Sequence, residues 1–289
     1  MTEELLEAIY ASPDDDAPRL VYADALLERG DPRGELIVRQ CRGDAASDLV
    51  EQYGDAWLGE LAGVVMTATY ERGFLARVTI REPRDDKAIA ALVGHPLWRT
   101  VRKLRGSAAI ALHPSMTALR VLHVEREPAY WKELFSGTER NITELHYTPL
   151  IEETWSNGGD VTATPNSGGV WHRGFSREEL GAMAACKALP ALRRFIVNEV
   201  PGNWFGWVLQ DGLLARVHVI ESRDGPLHVK IAGGVAVVTV APTAAPMVTD
   251  VVINLVQALP KQLAIELVTG PRFAGREILE RIVGPRLRR

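Results

Sequence analysis

The stretch VVMTATYERGFLARVTI, residues 64–80, decides the fold. Threonine, aromatic and β-branched residues on either side of Arg72-Gly73 predict two strands around a tight turn. In the second of them, Leu75, Val78 and Ile80 set an apolar-x-x-apolar-x-apolar spacing. The same spacing returns at Leu119/Leu122/Val124, Ile142/Leu145/Tyr147, Leu192/Phe195/Val197, Leu214/Val217/Val219 and Val235/Val238/Val240, with weaker matches beginning at Val101 and Gln262. Successive first positions are 26, 18, 23, 50, 22, 21 and 27 residues apart, and most of these intervals fall near the period of a leucine-rich repeat.

Segments suited to helices lie between these strands: 85–93, 131–135, 177–188, 204–209, 248–259 and 274–283. Short strands alternating with helices at this spacing predict an α/β fold. Residues 63–289 are expected to form an irregular leucine-rich-repeat-like solenoid with a parallel sheet and helices along its outer face. The usual asparagine after each strand is mostly missing. The interval of 50 residues contains NGGDVTATPNSGGVWHRG, residues 157–174, which is either a degenerate repeat or a loop insertion. Its Gly, Ser and Thr content favours an insertion over 151–174.

Upstream, residues 1–62 read as a helical module. Leu5, Leu6 and Ile9 share one face of a first helix, and Ser12-Pro13 with three aspartates starts a second that runs to about Arg29. Leu20, Ala23 and Leu27 are expected on its apolar face. Gly30 offers a left-handed stop, Asp31-Pro32 begins a third helix carrying Leu36 and Ile37, and a further helix is expected over 47–61. Asp24, Arg33 and Glu35 read as groups that fix the connection between helices, since no nucleophile or metal-ligand pair lies nearby.

The segment LLEAIYASPDDDAPRLVYADALLERGDPRGELIVRQ, residues 5–40, resembles the repeat-companion domain found at the N-termini of many bacterial proteins, where it commonly precedes leucine-rich-repeat-like segments. YERGFLARVTI, residues 70–80, is similar to the stretch that leads into that family's first strand. Ala25 stands where the family usually has an aromatic residue, and Leu27 where it has an acidic one. The resemblance implies a helical module introducing a repeat region and brings no enzymatic role to particular residues.

A chain of 289 residues with 46% hydrophobic content can bury a sizeable core, and its net charge of -4 gives no basic footprint for nucleic acid. Cys41 and Cys186 stand far apart without a CxxC, so neither a zinc site nor a disulfide framework is suggested. The acidic start lacks the form of a signal peptide, and no apolar run is long enough for a membrane span. These features predict a soluble cytoplasmic protein with reduced thiols.

In the repeat register, Thr79, Arg105, His123, His146, Ile196, His218, Thr239 and Glu266 form one outward column on the concave sheet. Arg77, Lys103, Val121, Glu144, Arg194 and Arg216 form the next. Adjacent strands lie about 4.8 Å apart, which would bring His123 near His146. Such a pair could hold a metal or sense pH, yet only Glu125 and Glu144 are obvious further ligands, so solvated polar residues are the plainer account and no metal or cofactor is expected. The basic strip Arg77, Lys103, Arg105, Arg194 and Arg216, with His123, His146 and His218, suits an acidic protein surface. Trp155 and Trp171 flank the insertion as candidate anchors.

The chain contains no GxSxG, no HExxH and no Gly-Lys-Ser/Thr. A non-enzymatic protein-interaction module is expected, serving as an adaptor, inhibitor or regulated target in bacterial signalling or defence. Two alternatives stay open: a metal-dependent hydrolase or other enzyme using the 151–174 loop with the concave-face histidines, and a protease substrate cleaved in that loop.

Overall fold

The computed structural model describes residues 2–81, 86–125, 130–148, 177–198, 209, 213, 216–224, 227–241, 248–270, 273 and 275–288. The architecture is α/β with mostly parallel strands, and the chain packs as two compact units, residues 1–123 and 124–289. No described helix is long and apolar enough to cross a membrane.

The first unit opens with four helices, α1 (Thr2–Ala11), α2 (Ala17–Leu27), α3 (Pro32–Arg42) and α4 (Ser47–Leu58). Asp31 and Pro32 begin α3 as the sequence predicts: Asp31 Oδ1 accepts from the Arg33 N–H at 2.9 Å, and proline at the first helical position has no N–H to satisfy. The helix expected to reach Leu61 stops at Leu58, and Gly59–Gly63 continue as a 3-10 turn. Ile9, Tyr22, Ala23, Leu26, Ile37 and Phe74 make the core of this region.

One expectation about α2 is overturned. Leu20 and Leu27 are exposed, and the inward face is Arg19, Tyr22, Ala23 and Leu26. Arg19 is only 2% exposed because its guanidinium lies 4.7 Å from the centre of the Phe74 ring and donates to the Pro13 carbonyl at 2.8 Å. Burial, with Arg72 nearby, lowers its pKa to about 10. Arg33 lies 4.8 Å from the same ring and donates from Nε to the Gly73 carbonyl at 3.0 Å, so its side chain binds the backbone of the hairpin turn and not that of the helix connection expected for it.

Strands β1 (Val65–Glu71) and β2 (Phe74–Ile80) form the expected antiparallel hairpin. Its turn residues Arg72 and Gly73 have φ of 51° and 78°, the left-handed pair that matches strand twist. Arg72 holds this conformation while donating to the carbonyls of Pro13 at 3.0 Å and Asp14 at 2.8 Å and to Asp16 at 3.2 Å. The hairpin is thereby tied to the α1–α2 connection.

Beyond it come α5 (Asp86–Leu92), β3 (Lys103–Arg105), α6 (Ala108–Ala111) and β4 (Val121–Glu125). Strands β2, β3 and β4 are parallel, with Val78, Leu104 and Leu122 aligned and buried. Arg77/Lys103/Val121 and Thr79/Arg105/His123 form the two flanking columns, in the expected register. Two bonds from the Pro96–Thr100 turn secure the crossover into β3. Trp98, fully buried, donates Nε1–H to the Leu92 carbonyl at 2.8 Å, and the Thr100 hydroxyl donates to Leu75 O at 2.9 Å.

The second unit contains α7 (Trp131–Ser136), β5 (Glu144–Thr148), α8 (Arg177–Ala185), β6 (Arg194–Val197), β7 (Val219–Asp224), β8 (Leu227–Ala232), β9 (Val235–Val240), α9 (Val248–Ala258), β10 (Ala264–Thr269) and α10 (Arg276–Val283). Strands β5 and β6 pair directly, from Glu144↔Arg194 to Tyr147↔Val197, so the 50-residue interval adds no strand between them. The insertion itself, with Trp155 and Trp171, and nearly all of the helix expected at 204–209 lie outside the described residues.

The all-parallel expectation fails at β8. Pairing is parallel for β5–β6–β7 and for β9–β10, but β7, β8 and β9 form an antiparallel meander. The physical reason is connection length: Ala232 pairs with Val235 across Gly233-Gly234, and two residues can close a hairpin but cannot make the dozen-residue crossover that a parallel pair needs.

One face of these strands is apolar. Leu145, Tyr147, Phe195, Val197, Ile220, Val229, Ile231, Val238 and Ile265 are buried there. Phe135 of α7 meets Tyr147 edge-on at 5.4 Å and Phe195 at 6.1 Å. The Tyr147 hydroxyl donates to Glu179 of α8 at 3.0 Å, and burial drives its pKa far above the ordinary phenol value. Leu255 and Val256 of α9 and Leu279 and Val283 of α10 extend the same core. Arg286 fastens the C-terminal end, donating to the carbonyls of Pro260 at 2.8 Å and Leu263 at 3.2 Å.

Candidate functional site

Alternation along a strand sends every second side chain to the opposite face, and in the second unit that face gathers charge. Register places Glu144 opposite Arg194, Ile196 opposite Glu221, Glu221 opposite Lys230 and Arg223 opposite His228. Glu144, Arg194, Glu221, Arg223 and His228 join with His146 into one chain of contacts across four strands. His146 Nε2 and Glu144 Oε1 are 2.6 Å apart, Arg194 donates to Glu144 at 3.4 Å and to Glu221 at 3.4 Å, Arg223 donates to Glu221 at 2.8 Å, and His228 Nε2 meets Glu221 Oε1 at 3.0 Å.

Glu221 is the hub. Its side chain is 4% exposed, whereas Arg194, Arg223 and His228 are 40–46% exposed. Burial alone would push the Glu221 carboxyl up, but the hydrogen bond and charge of Arg223, helped by His228, outweigh it and hold the group below the ordinary carboxylate value. An anionic, nearly buried carboxylate thus fixes the heads of two half-exposed guanidiniums. Beside this network, Asn198 donates to the Thr148 hydroxyl at 3.0 Å.

Of the residues singled out in the sequence, Glu144, His146 and Arg194 enter this network. Arg216 and His218 do not. Both precede β7, whose residues pair as Phe195↔Ile220 and Ile196↔Glu221. The expected Leu214/Val217/Val219 frame is therefore displaced by three residues, and Glu221 occupies the place given to His218. Arg216 instead donates to the Ala185 carbonyl at the end of α8, and His218 is exposed. Thr239 pairs with Val268, while Glu266 pairs with Val237, a slip of two that keeps both residues on the polar face.

Arg77, Lys103, Arg105 and His123 occupy their expected columns in the first unit. Arg77 is 62% exposed and pairs with Glu71 at 2.8 Å. Neither cysteine is in a disulfide; Cys186 is fully buried, and burial raises its thiol pKa to about 12.

The apolar-x-x-apolar-x-apolar spacing marks only apolar positions and does not reveal Glu221, Arg223 or His228. A signal is present for β8 alone: LHVKIA alternates in polarity, and Gly233-Gly234 stands between it and VAVVTV, whereas VIESRD is two apolar residues followed by four polar ones. Comparison of the chain with protein-family models, with curated proteins and with solved structures finds no match.

Proposed function

We propose that the protein is a non-enzymatic binding scaffold that recognises another protein through the polar face of strands β5 to β8. The observation that carries this reading is the Glu221 hub. Guanidiniums held by a nearly buried carboxylate keep their fork geometry while 40% and 46% of Arg194 and Arg223 is open to solvent. Donors fixed in this way lose little side-chain entropy on binding and suit carboxylates on a partner. A helical module resembling the repeat-companion domain, followed by a solenoid-like strand region, fits an adaptor, inhibitor or regulated target in a bacterial cytoplasm.

The test begins with capture of partners from the source cell and continues with the purified partner in calorimetry. Arg223→Glu is expected to weaken the interaction about tenfold or more, as for a central arginine of an interface. An unchanged partner set and affinity would sink the proposal.

The His146–Glu144 contact at 2.6 Å favours a second reading, in which this pair acts as a general base in a hydrolase. That reading requires turnover of an ester or phosphoester panel, abolished by His146→Gln. The binding scaffold turns over none of them.

A further inference from the structure

Among the described residues, seven large apolar side chains are well exposed, and three of them, Leu20 (39%), Val21 (54%) and Leu27 (46%), lie on the eleven-residue helix α2. With about 100° of rotation per residue, Leu20, Val21, Asp24, Leu27 and Glu28 share an arc about 120° wide. Arg19, Tyr22, Ala23 and Leu26 occupy the opposite arc and are buried. This helix therefore has two apolar faces, and only one is used in the core of its own unit. An exposed stripe of this kind, three and four residues apart, has the form of a helix-packing surface.

Charge tells what would cover it. Asp24 and Glu28 are exposed within the stripe, and residues 1–31 hold nine acidic side chains against two arginines, one of them the buried Arg19. Glu7, Asp14 and Asp16 pair with Arg99, Arg72 and Arg102, but neither carboxylate of the stripe belongs to those pairs. Two copies of the stripe facing each other would set Asp24 and Glu28 against their like, which disfavours self-association. A basic helix would instead meet opposite charge at the rim and apolar contact at the centre.

We propose that the Leu20–Glu28 face of α2 docks a basic amphipathic helix of a protein partner. The inference involves residues distinct from the Glu221 network, so either can fail without the other.

The full chain would be titrated with two synthetic helical peptides of identical leucine seam, one flanked by lysines and one by glutamates, with binding followed by calorimetry and amide chemical shifts. The lysine peptide is expected to bind, to weaken as salt rises, and to shift resonances along α2, while the glutamate peptide does not bind. Leu20→Ser/Leu27→Ser should weaken binding about tenfold or more with the thermal unfolding midpoint unchanged. Asp24→Lys/Glu28→Lys, which leaves the apolar seam intact, should transfer the preference to the glutamate peptide. Equal binding of both peptides, retention of lysine-peptide binding in a folded serine variant, shifts confined to other elements, or a dimer of the chain abolished by Leu27→Ser would each overturn the proposal.

Discussion

Two hairpins of this protein turn through the same backbone conformation with different consequences. At Arg72-Gly73 and at Gly233-Gly234, two consecutive residues have positive φ, and each turn joins antiparallel strands. A Cβ on Gly73 would lie 2.0 Å from Ile37 Cγ1 and 3.1 Å from Ile37 Cα, whereas a Cβ on Gly234 would meet nothing within 4 Å. The first turn is wedged against α3; the second stands open. Local turn chemistry is alike in the two places, but only the first carries the position of a strand pair into a helical core.

The largest effect is therefore expected at the wedge. Gly73→Ala adds left-handed strain to a clash with a fully buried isoleucine whose backbone cannot withdraw, together costing about 2–5 kcal/mol. Denaturant unfolding measures it. Adding Ile37→Ala should recover part of the clash but none of the strain, so the two substitutions will be non-additive. Simple additivity would mean that the hairpin is not wedged.

Next in size is the charged hub that organises the second unit where the first uses steric fit. Glu221→Gln keeps the shape and removes the charge that three partners share. Those partners are 40–46% exposed and can turn to water, so a loss of about 1–2 kcal/mol is expected at neutral pH. The sign with pH follows from the depressed folded-state pKa. The stabilisation is present above the unfolded value near 4.5 and disappears as pH falls through the folded value, so the gap between wild type and variant should close in acid. A gap that widens below pH 4.5 would show that the carboxyl is protonated in the folded protein.

The same contrast decides what could be read in the sequence. In β2, β3 and β4 the apolar triples at Leu75, Val101 and Leu119 stay in phase, and Val78, Leu104 and Leu122 align with no competing frame. Across the start of β7, LLARVHVIES allows two frames, and apolarity favours Leu214/Val217/Val219 over Val217/Ile220/Ser222, whose last position is polar. The second prevails, with Ile220 and Ser222 buried on the apolar face, and Glu221 is carried to the polar one. Strand β8 escaped because LHVKIA alternates strictly and never shows the longer spacing. On α2, Leu20/Ala23/Leu27 is the more hydrophobic face, but the Phe74 ring and the Pro13 carbonyl give Arg19 a buried place that no helical periodicity reveals.

Gly234→Ala is expected to have the smallest of these effects and separates conformation from packing. Its φ of 77° is costly for any residue with a Cβ, yet the added methyl meets no neighbour, so strain alone remains, about 1 kcal/mol. Because Ala232 and Val235 still pair across a two-residue link, β7, β8 and β9 should keep their register and the Glu221 network its geometry. Amide exchange would then be faster near residues 232–235 and unchanged at Glu221 and Arg223. If exchange also quickened at Glu221, the open hairpin would be coupled to the hub as firmly as the Arg72-Gly73 turn is to α3, and the distinction between a wedged turn and a free one would vanish.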